Sequence, residues 1–147
     1  ISLIKQKYEE DLVAVFEQYK IKQAVCFFEL FGPSSFAGNH DFQENLDVKL
    51  IDVNLQNEGL IPISKFMKYF GHLDVPDILY EGHLTDEIIE NIRNSSFKGI
   101  SFEGVICKGA INNKTKMPIM FKIKTKAWLS KLFSYCKEDK SLFNQLC

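Results

Sequence analysis

Four short runs rich in aromatic and β-branched residues constrain the fold more than any other feature of this chain. They are AVCFFELFG (24–32), DVKLIDVNL (47–55), ISFEGVICKG (100–109) and MPIMFKIKTK (117–126). Each is too short and too apolar to read as a surface helix, and each suits a pleated strand. Gly32-Pro33 ends the first run, and the following residues 33–46, rich in Ser, Asn, Gly and Asp, predict a loop. AINNKTK (110–116) between the last two runs predicts a hairpin.

The intervening segments carry helical signals. Over residues 2–20, Ile4, Tyr8, Leu12, Val15 and Phe16 recur at three- and four-residue steps, which predicts an amphipathic helix. ISKFMKYFG (63–71) reads as a short helix closed by Gly71. LTDEIIENIRNSS (84–96) carries helix-start chemistry, with Thr85 able to cap and Asp86, Glu87 and Glu90 placed in the first turns. AWLSKLFSYCKED (127–139) predicts a final helix. The expected class is therefore α+β, a mostly antiparallel sheet with helices packed against it.

A chain of 147 residues can bury one real core and is too short to argue for two domains. Apolar residues at 46% and charged residues at 25% exclude a disordered or fibrous chain and predict a soluble globular protein. No apolar run approaches the length of a membrane span, and no basic-then-apolar signal segment opens the chain. The first residue is Ile1, which suggests a processed or cut product. Cys26, Cys107, Cys136 and Cys147 form no CxxC pair and have no histidine at metal-ligand spacing. Cys26 and Cys107 sit in apolar runs and read as small buried hydrophobes, which favours a reducing, intracellular and cytoplasmic setting.

The net charge of −1 gives no overall bias toward nucleic acid, but its distribution is polarised. Residues 1–113 carry 10 basic and 17 acidic side chains, whereas residues 114–147 carry 8 basic and 2 acidic. Such a chain can present a local anion site, or simply a solvated helix face and a basic hairpin.

Charged side chains interrupt the strand patterns at three places: Glu29, Glu103, and the alternation Lys122, Lys124 and Lys126. Departures of this kind concentrate at functional sites. Alternation sets the three lysines on one strand face, where their mutual repulsion calls for solvent or an anion such as phosphate. A carboxylate inside an apolar strand needs a lysine, a metal ion or a hydroxyl as partner, or a place on the wet face.

In this order, the segments resemble the covalent nucleotidyltransferase superfamily of ATP-dependent DNA and RNA ligases and mRNA-capping enzymes. FFELFGPSSFAG is similar to its motif III, DVKLIDV to motif IIIa, SFEGVICKG to motif IV and MFKIKTKAWLSKL to motif V. The full FELFG form, and a motif V running straight into a helix, are most similar to the RNA-ligase branch. The resemblance covers roughly residues 22–135 and implies part of a nucleotidyltransferase (ATP-grasp-like) ligase domain spanning 1–147.

By position, the resemblance implies that Glu29 binds the nucleotide ribose and that Glu103 supports a divalent metal, Mg²⁺ or Mn²⁺. It implies that Lys122 and Lys124 contact the α-phosphate of ATP; Lys108, just after motif IV, either reaches phosphate or is a surface lysine. Where relatives place an aromatic ring on the adenine, this chain has Leu50 and Ile51, so aliphatic packing is expected there. No lysine is followed by x-Asp-Gly, the setting of the family's nucleophile, so the chain is expected to start downstream of that motif. The implied activity of the parent is joining 5′-phosphate and 3′-hydroxyl RNA ends, at nicked duplexes or broken single strands, through lysyl-AMP and RNA-adenylate. A DNA ligase or capping-type guanylyltransferase, and a catalytically inert module that binds nucleotide or RNA ends, are the alternatives.

Overall fold

The computed structural model describes residues 1–33, 45–112, 114–115 and 117–146, so most of the predicted 33–46 loop, part of the 110–116 loop and Cys147 lie outside the described residues. The class is α+β. By internal contacts the chain divides into two compact units, Ile1–Asp77 with Lys108–Ile119, and Ile78–Cys107 with Met120–Cys147.

The first unit is built on helix α1 (Ser2–Gln18), strands β1 (Ala24–Phe31), β2 (Asp47–Leu55) and β3 (Gly59–Leu60), and helix α2 (Ile63–Phe70). The sheet runs β1-β2-β3 with both pairings antiparallel. Strand β3 is too short to be read from an apolar run, although Asn57 and Gly59 at positive φ mark the turn before it. The core gathers Tyr8 and Val15 of α1, Val48, Leu50, Val53 and Leu55 of β2, and Phe66 and Phe70 of α2. Gly71 closes α2 as expected, but in an ordinary right-handed conformation.

Strand β2 keeps four residues in this core because it carries a bulge. Phe27 pairs with Asp52 and Phe28 with Leu50, so Ile51 is the extra residue. The bulge shifts the phase of the two-residue alternation, and Val48 and Leu50 before it share the core with Val53 and Leu55 after it. A regular strand would have turned one of these pairs to the other face.

Polar ties fix α1 against β2. The Tyr8 hydroxyl, 1% exposed as a residue, lies 2.7 Å from the Asp74 carbonyl oxygen and 2.9 Å from that of Val48, and accepts the Leu50 N–H at 3.2 Å. Its single proton serves one carbonyl at a time. Beside it, the Lys7 ammonium meets Asp47 at 2.6 Å and Asp74 at 2.5 Å, and Lys49 reaches Asp74 at 2.9 Å. Burial pushes the Asp47 and Asp74 carboxyls up, but hydrogen bonds, from Lys7 above all, outweigh it and leave both below their ordinary value of 3.8. Burial pulls Lys7 down, and its bonds to Asp47 and Asp74 more than restore it.

The second unit holds α3 (Asp86–Arg93), α4 (Lys126–Tyr135) and α5 (Lys140–Leu146); β4 (Gly104–Ile111) and β5 (Pro118–Lys124) form a two-stranded sheet. Thr85 caps α3 as expected, accepting the Ile88 N–H at 3.3 Å. Helix α5 was not legible as a helix start. Asp139 caps it through N–H bonds from Ser141 at 2.8 Å and Leu142 at 3.1 Å, and Phe133 meets Phe143 edge-on at 5.5 Å.

Two expected boundaries move. The strand predicted over 100–109 starts only at Gly104, because the Ser101 hydroxyl bonds the Gly104 carbonyl at 2.9 Å and bends the chain ahead of it. The strand predicted over 117–126 ends at Lys124, because Thr125 caps the following helix and Lys126 is its first residue. The cysteines also differ from expectation. Cys26 and Cys107 are only half-buried, with thiols that burial still pushes up, while Cys136 is buried.

Tyr8→Phe removes a buried hydroxyl within hydrogen-bond reach of the Val48, Leu50 and Asp74 backbones, and should lower stability by about 1–2 kcal/mol in urea unfolding. Asp47 and Asp74 have folded values below their unfolded value, so the unfolded chain binds more protons in acid. Their contribution is complete above about pH 4 and is lost as the pH falls further. Urea midpoints measured down the acid range should fall there, and Asp74→Asn should flatten that fall.

Candidate functional site

The seven side chains picked out from sequence fall in two groups, one in each unit. Glu103, Lys122 and Lys124 come together in the second. The Lys124 ammonium is ion-paired with Glu103 Oε1, and the Lys122 ammonium lies 3.9 Å from the same oxygen. Lys124 is largely covered, at 16% side-chain exposure, whereas Lys122 is 56% exposed. The sole tryptophan, Trp128, presents its ring 4.1 Å from the Lys124 ammonium. A cation over an indole face gains about 0.5–2 kcal/mol, so Trp128 holds Lys124 without adding negative charge.

The backbone beneath this cluster has little freedom. Gly104 has φ +135, and a Cβ there would collide with the Ile123 carbonyl oxygen. That close approach lets the Glu103 carbonyl accept the Thr125 N–H at 3.0 Å. Thr125, fully buried, donates its hydroxyl to the Phe102 carbonyl at 2.6 Å and accepts the Trp128 N–H at 3.0 Å. One threonine thus ends β5, starts α4 and ties both to the turn carrying Glu103. Lys126, expected on the lysine face, bonds Glu90 at 3.2 Å and Asn94 at 2.8 Å instead.

Two ammonium groups share one carboxylate here, which leaves an excess positive charge beside the exposed Lys122. An oxyanion is the ligand that such an arrangement favours. Among the described residues no group of three or more His, Cys, Asp or Glu side chains converges to hold a metal ion. Glu103 offers one carboxylate, already engaged by Lys124, so a divalent ion here would take most of its ligands from water and phosphate oxygens.

The other four candidates lie in the first unit. Glu29 follows the core-facing Phe28, which meets the Tyr8 ring at 5.1 Å, and its Cα is paired with that of Lys49. Its side chain is half-buried and has no ion pair or hydrogen bond among the described residues, while Lys49 turns to Asp74. No oxygen of the Glu29 carboxylate is both fully buried and unpaired. Leu50 is 0% exposed and belongs to the core, so it presents no surface to a nucleobase. Ile51, the bulge residue, is half-buried.

Lys108 is already satisfied. Its ammonium pairs with Asp52 at 2.9 Å, donates to the Ile51 carbonyl at 2.8 Å and lies 5.5 Å from the Phe66 ring centre. Sequence reasoning named neither Asp52 as its partner nor Trp128, Thr125 and Gly104 as supports of the lysine cluster. The signal for the latter three was present, since Thr-x-x-Trp directly follows Lys124 and a glycine follows Glu103. An apolar groove lined by Leu12, Phe16, Ile21, Ala24 and Cys26 opens beside α1 and contains none of the seven candidates.

Gly104→Ala should destabilise the protein by more than the roughly 1–3 kcal/mol of the backbone conformation alone, because the added methyl meets a carbonyl rather than a flexible side chain. Thermal unfolding of the variant measures the loss.

Comparison with known proteins adds no relative: the chain matches no family model, no curated protein and no solved structure.

Proposed function

We propose that the chain is the back part of the nucleotidyltransferase domain of an ATP-dependent RNA ligase, which joins 5′-phosphate to 3′-hydroxyl ends through lysyl-AMP and RNA-adenylate. The observation that carries this reading is the cluster of Glu103, Lys122 and Lys124. These are the motif IV acid and the motif V lysine pair, residues some twenty positions apart in sequence. In the ligase resemblance the two lysines contact the α-phosphate and Glu103 supports the divalent metal beside it. Here both lysine ammonium groups meet one Glu103 oxygen.

In this reading Lys122, the exposed member, approaches the α-phosphate first. Lys124 exchanges part of its pairing with Glu103 for the phosphate while the Trp128 ring keeps its ammonium in place. Fixed positive charge at the α-phosphate stabilises the transition state of phosphoryl transfer, where negative charge spreads over the equatorial oxygens. The resemblance assigns the ribose hydroxyls to Glu29, whose side chain has no partner among the described residues. Mg²⁺ or Mn²⁺, held mainly by the triphosphate and water with Glu103 as a protein contact, would neutralise phosphate charge. Leu50 takes no part in base contact, and Ile51 is left as the aliphatic candidate. Lys108 keeps the bulge in place through Asp52 and the Ile51 carbonyl, and does not reach phosphate while so engaged.

In this reading the nucleophile would be the lysine of a Lys-x-Asp-Gly, which does not occur within these 147 residues. The same absence favours a second reading for the chain taken by itself, a module that binds nucleotide or RNA ends without reacting. A DNA ligase or a capping-type guanylyltransferase uses the same motifs. No helix among the described residues is long and apolar enough to cross a membrane.

Incubation with α-labelled ATP and Mg²⁺, followed by denaturation, separates these readings. A longer parent protein containing Lys-x-Asp-Gly should retain label, and Lys122→Ala or Lys124→Ala should slow labelling by about 10²–10³. No label on that parent with either ATP or GTP would leave the binding module. Label on the 147-residue chain would place the nucleophile among its own lysines and overturn the assignment made above.

A further inference from the structure

Helix α4 carries two lysines and no acidic residue over its ten positions. Lys131 and Tyr135 lie one turn apart on its exposed face, and Tyr135, at 79% exposure, is the most exposed of the chain's described aromatic side chains. The Lys131 ammonium lies 5.4 Å from the ring centre of Phe102, itself 38% exposed and adjacent to Glu103. Cations and aromatic rings thus neighbour one another along α4: Lys124 with Trp128, and Lys131 with Phe102 and, one turn on, Tyr135. Apart from Phe102, this stripe lies in residues 114–147, whose basic side chains outnumber acidic ones by 8 to 2.

We propose that this stripe is a binding surface for single-stranded nucleic acid, with Tyr135 stacking on a base and Lys131 holding the adjoining phosphate. A surface that needs only positive charge would not require an aromatic ring left bare to solvent. A duplex hides its base faces and would leave Tyr135 without a partner, whereas a single strand offers both charge and π-face. An acidic peptide would satisfy the lysines but not the ring. The surface does not depend on adenylylation chemistry. It runs out from the lysine cluster, so a strand lying along it would end beside Lys122.

The test titrates the 147-residue chain into fluorescein-labelled oligouridylate of about a dozen nucleotides and follows anisotropy at several salt concentrations. The wild-type chain should bind, with affinity falling steadily as salt rises. Tyr135→Ala should weaken binding about five- to a hundredfold, and Tyr135→Phe should restore most of it. Lys131→Gln should weaken binding and reduce the slope against log salt by about 0.7. Both side chains are exposed, so circular dichroism should show both variants folded.

Unchanged affinity in folded Tyr135→Ala, no binding of the single strand at low salt, or equal binding of an acidic peptide would each overturn the proposal. Labelling of the parent protein by ATP should be unaffected by either variant. Loss of RNA binding without any labelling would leave the surface standing and remove the ligase reading. Labelling with unaltered RNA binding in Tyr135→Ala would do the reverse.

Discussion

In the second unit, one backbone approach positions everything that follows. The Ile123 carbonyl oxygen occupies the space where any residue other than glycine at position 104 would place its Cβ. Because the two backbones come this close, the Glu103 carbonyl receives the Thr125 N–H, and Thr125 closes over the Phe102 carbonyl. Thr125 then accepts the Trp128 N–H, which fixes where α4 begins. The direction of the helix, the ring beneath Lys124 and the carboxylate beside it are consequences of that junction. Backbone groups set the geometry, and at the exposed Lys122 the ion pair contributes charge arrangement more than stability, as expected for a lysine near solvent.

The first unit solves a different problem, which is to keep four residues of one strand in a core while the sequence skips a beat. The bulge at Ile51 does this, and Lys108 holds the bulged carbonyl from the side, with Asp52 satisfying its charge. Separating Lys108 from Asp52 would leave a mostly buried charge unpaired, an expensive change. That cost argues for a structural Lys108. Full burial of Leu50 follows from the same bulge, which leaves the aliphatic candidates for base contact reduced to Ile51.

The class and most elements were legible because they rest on periodicity. Tyr8 and Val15 are buried at the expected helical spacing in α1, and Thr85 caps α3 as its chemistry suggests. What escaped was set by single hydrogen bonds or by tertiary contact. Strand β3 is two residues long, α5 depends on the Asp139 cap, and the start of β4 is decided by one Ser101 hydroxyl. Reading DVKLIDVNL strictly by twos would have exposed the bulge, since its apolar positions change phase between Leu50 and Ile51. For the candidate site, spacing brought Lys122 and Lys124 onto one face, but the side chains that hold them could be recognised only in three dimensions. Lys126 shows the limit of alternation, because it assumes a strand that Thr125 has already ended.

The lysine cluster has a further physical consequence. Without Glu103, Lys122 and Lys124 would repel each other and spread. With a second carboxylate the pair would be neutralised and attract no anion. One carboxylate and one aromatic ring strike a balance between these outcomes: the carboxylate gathers the lysines, and the ring supports one of them without cancelling its charge. An arriving phosphate would therefore meet a site already assembled and still positive, so little of its binding energy need go into ordering long side chains. The stripe along α4 uses the same pairing of cation and ring at larger scale, with Phe102 supporting Lys131 as Trp128 supports Lys124.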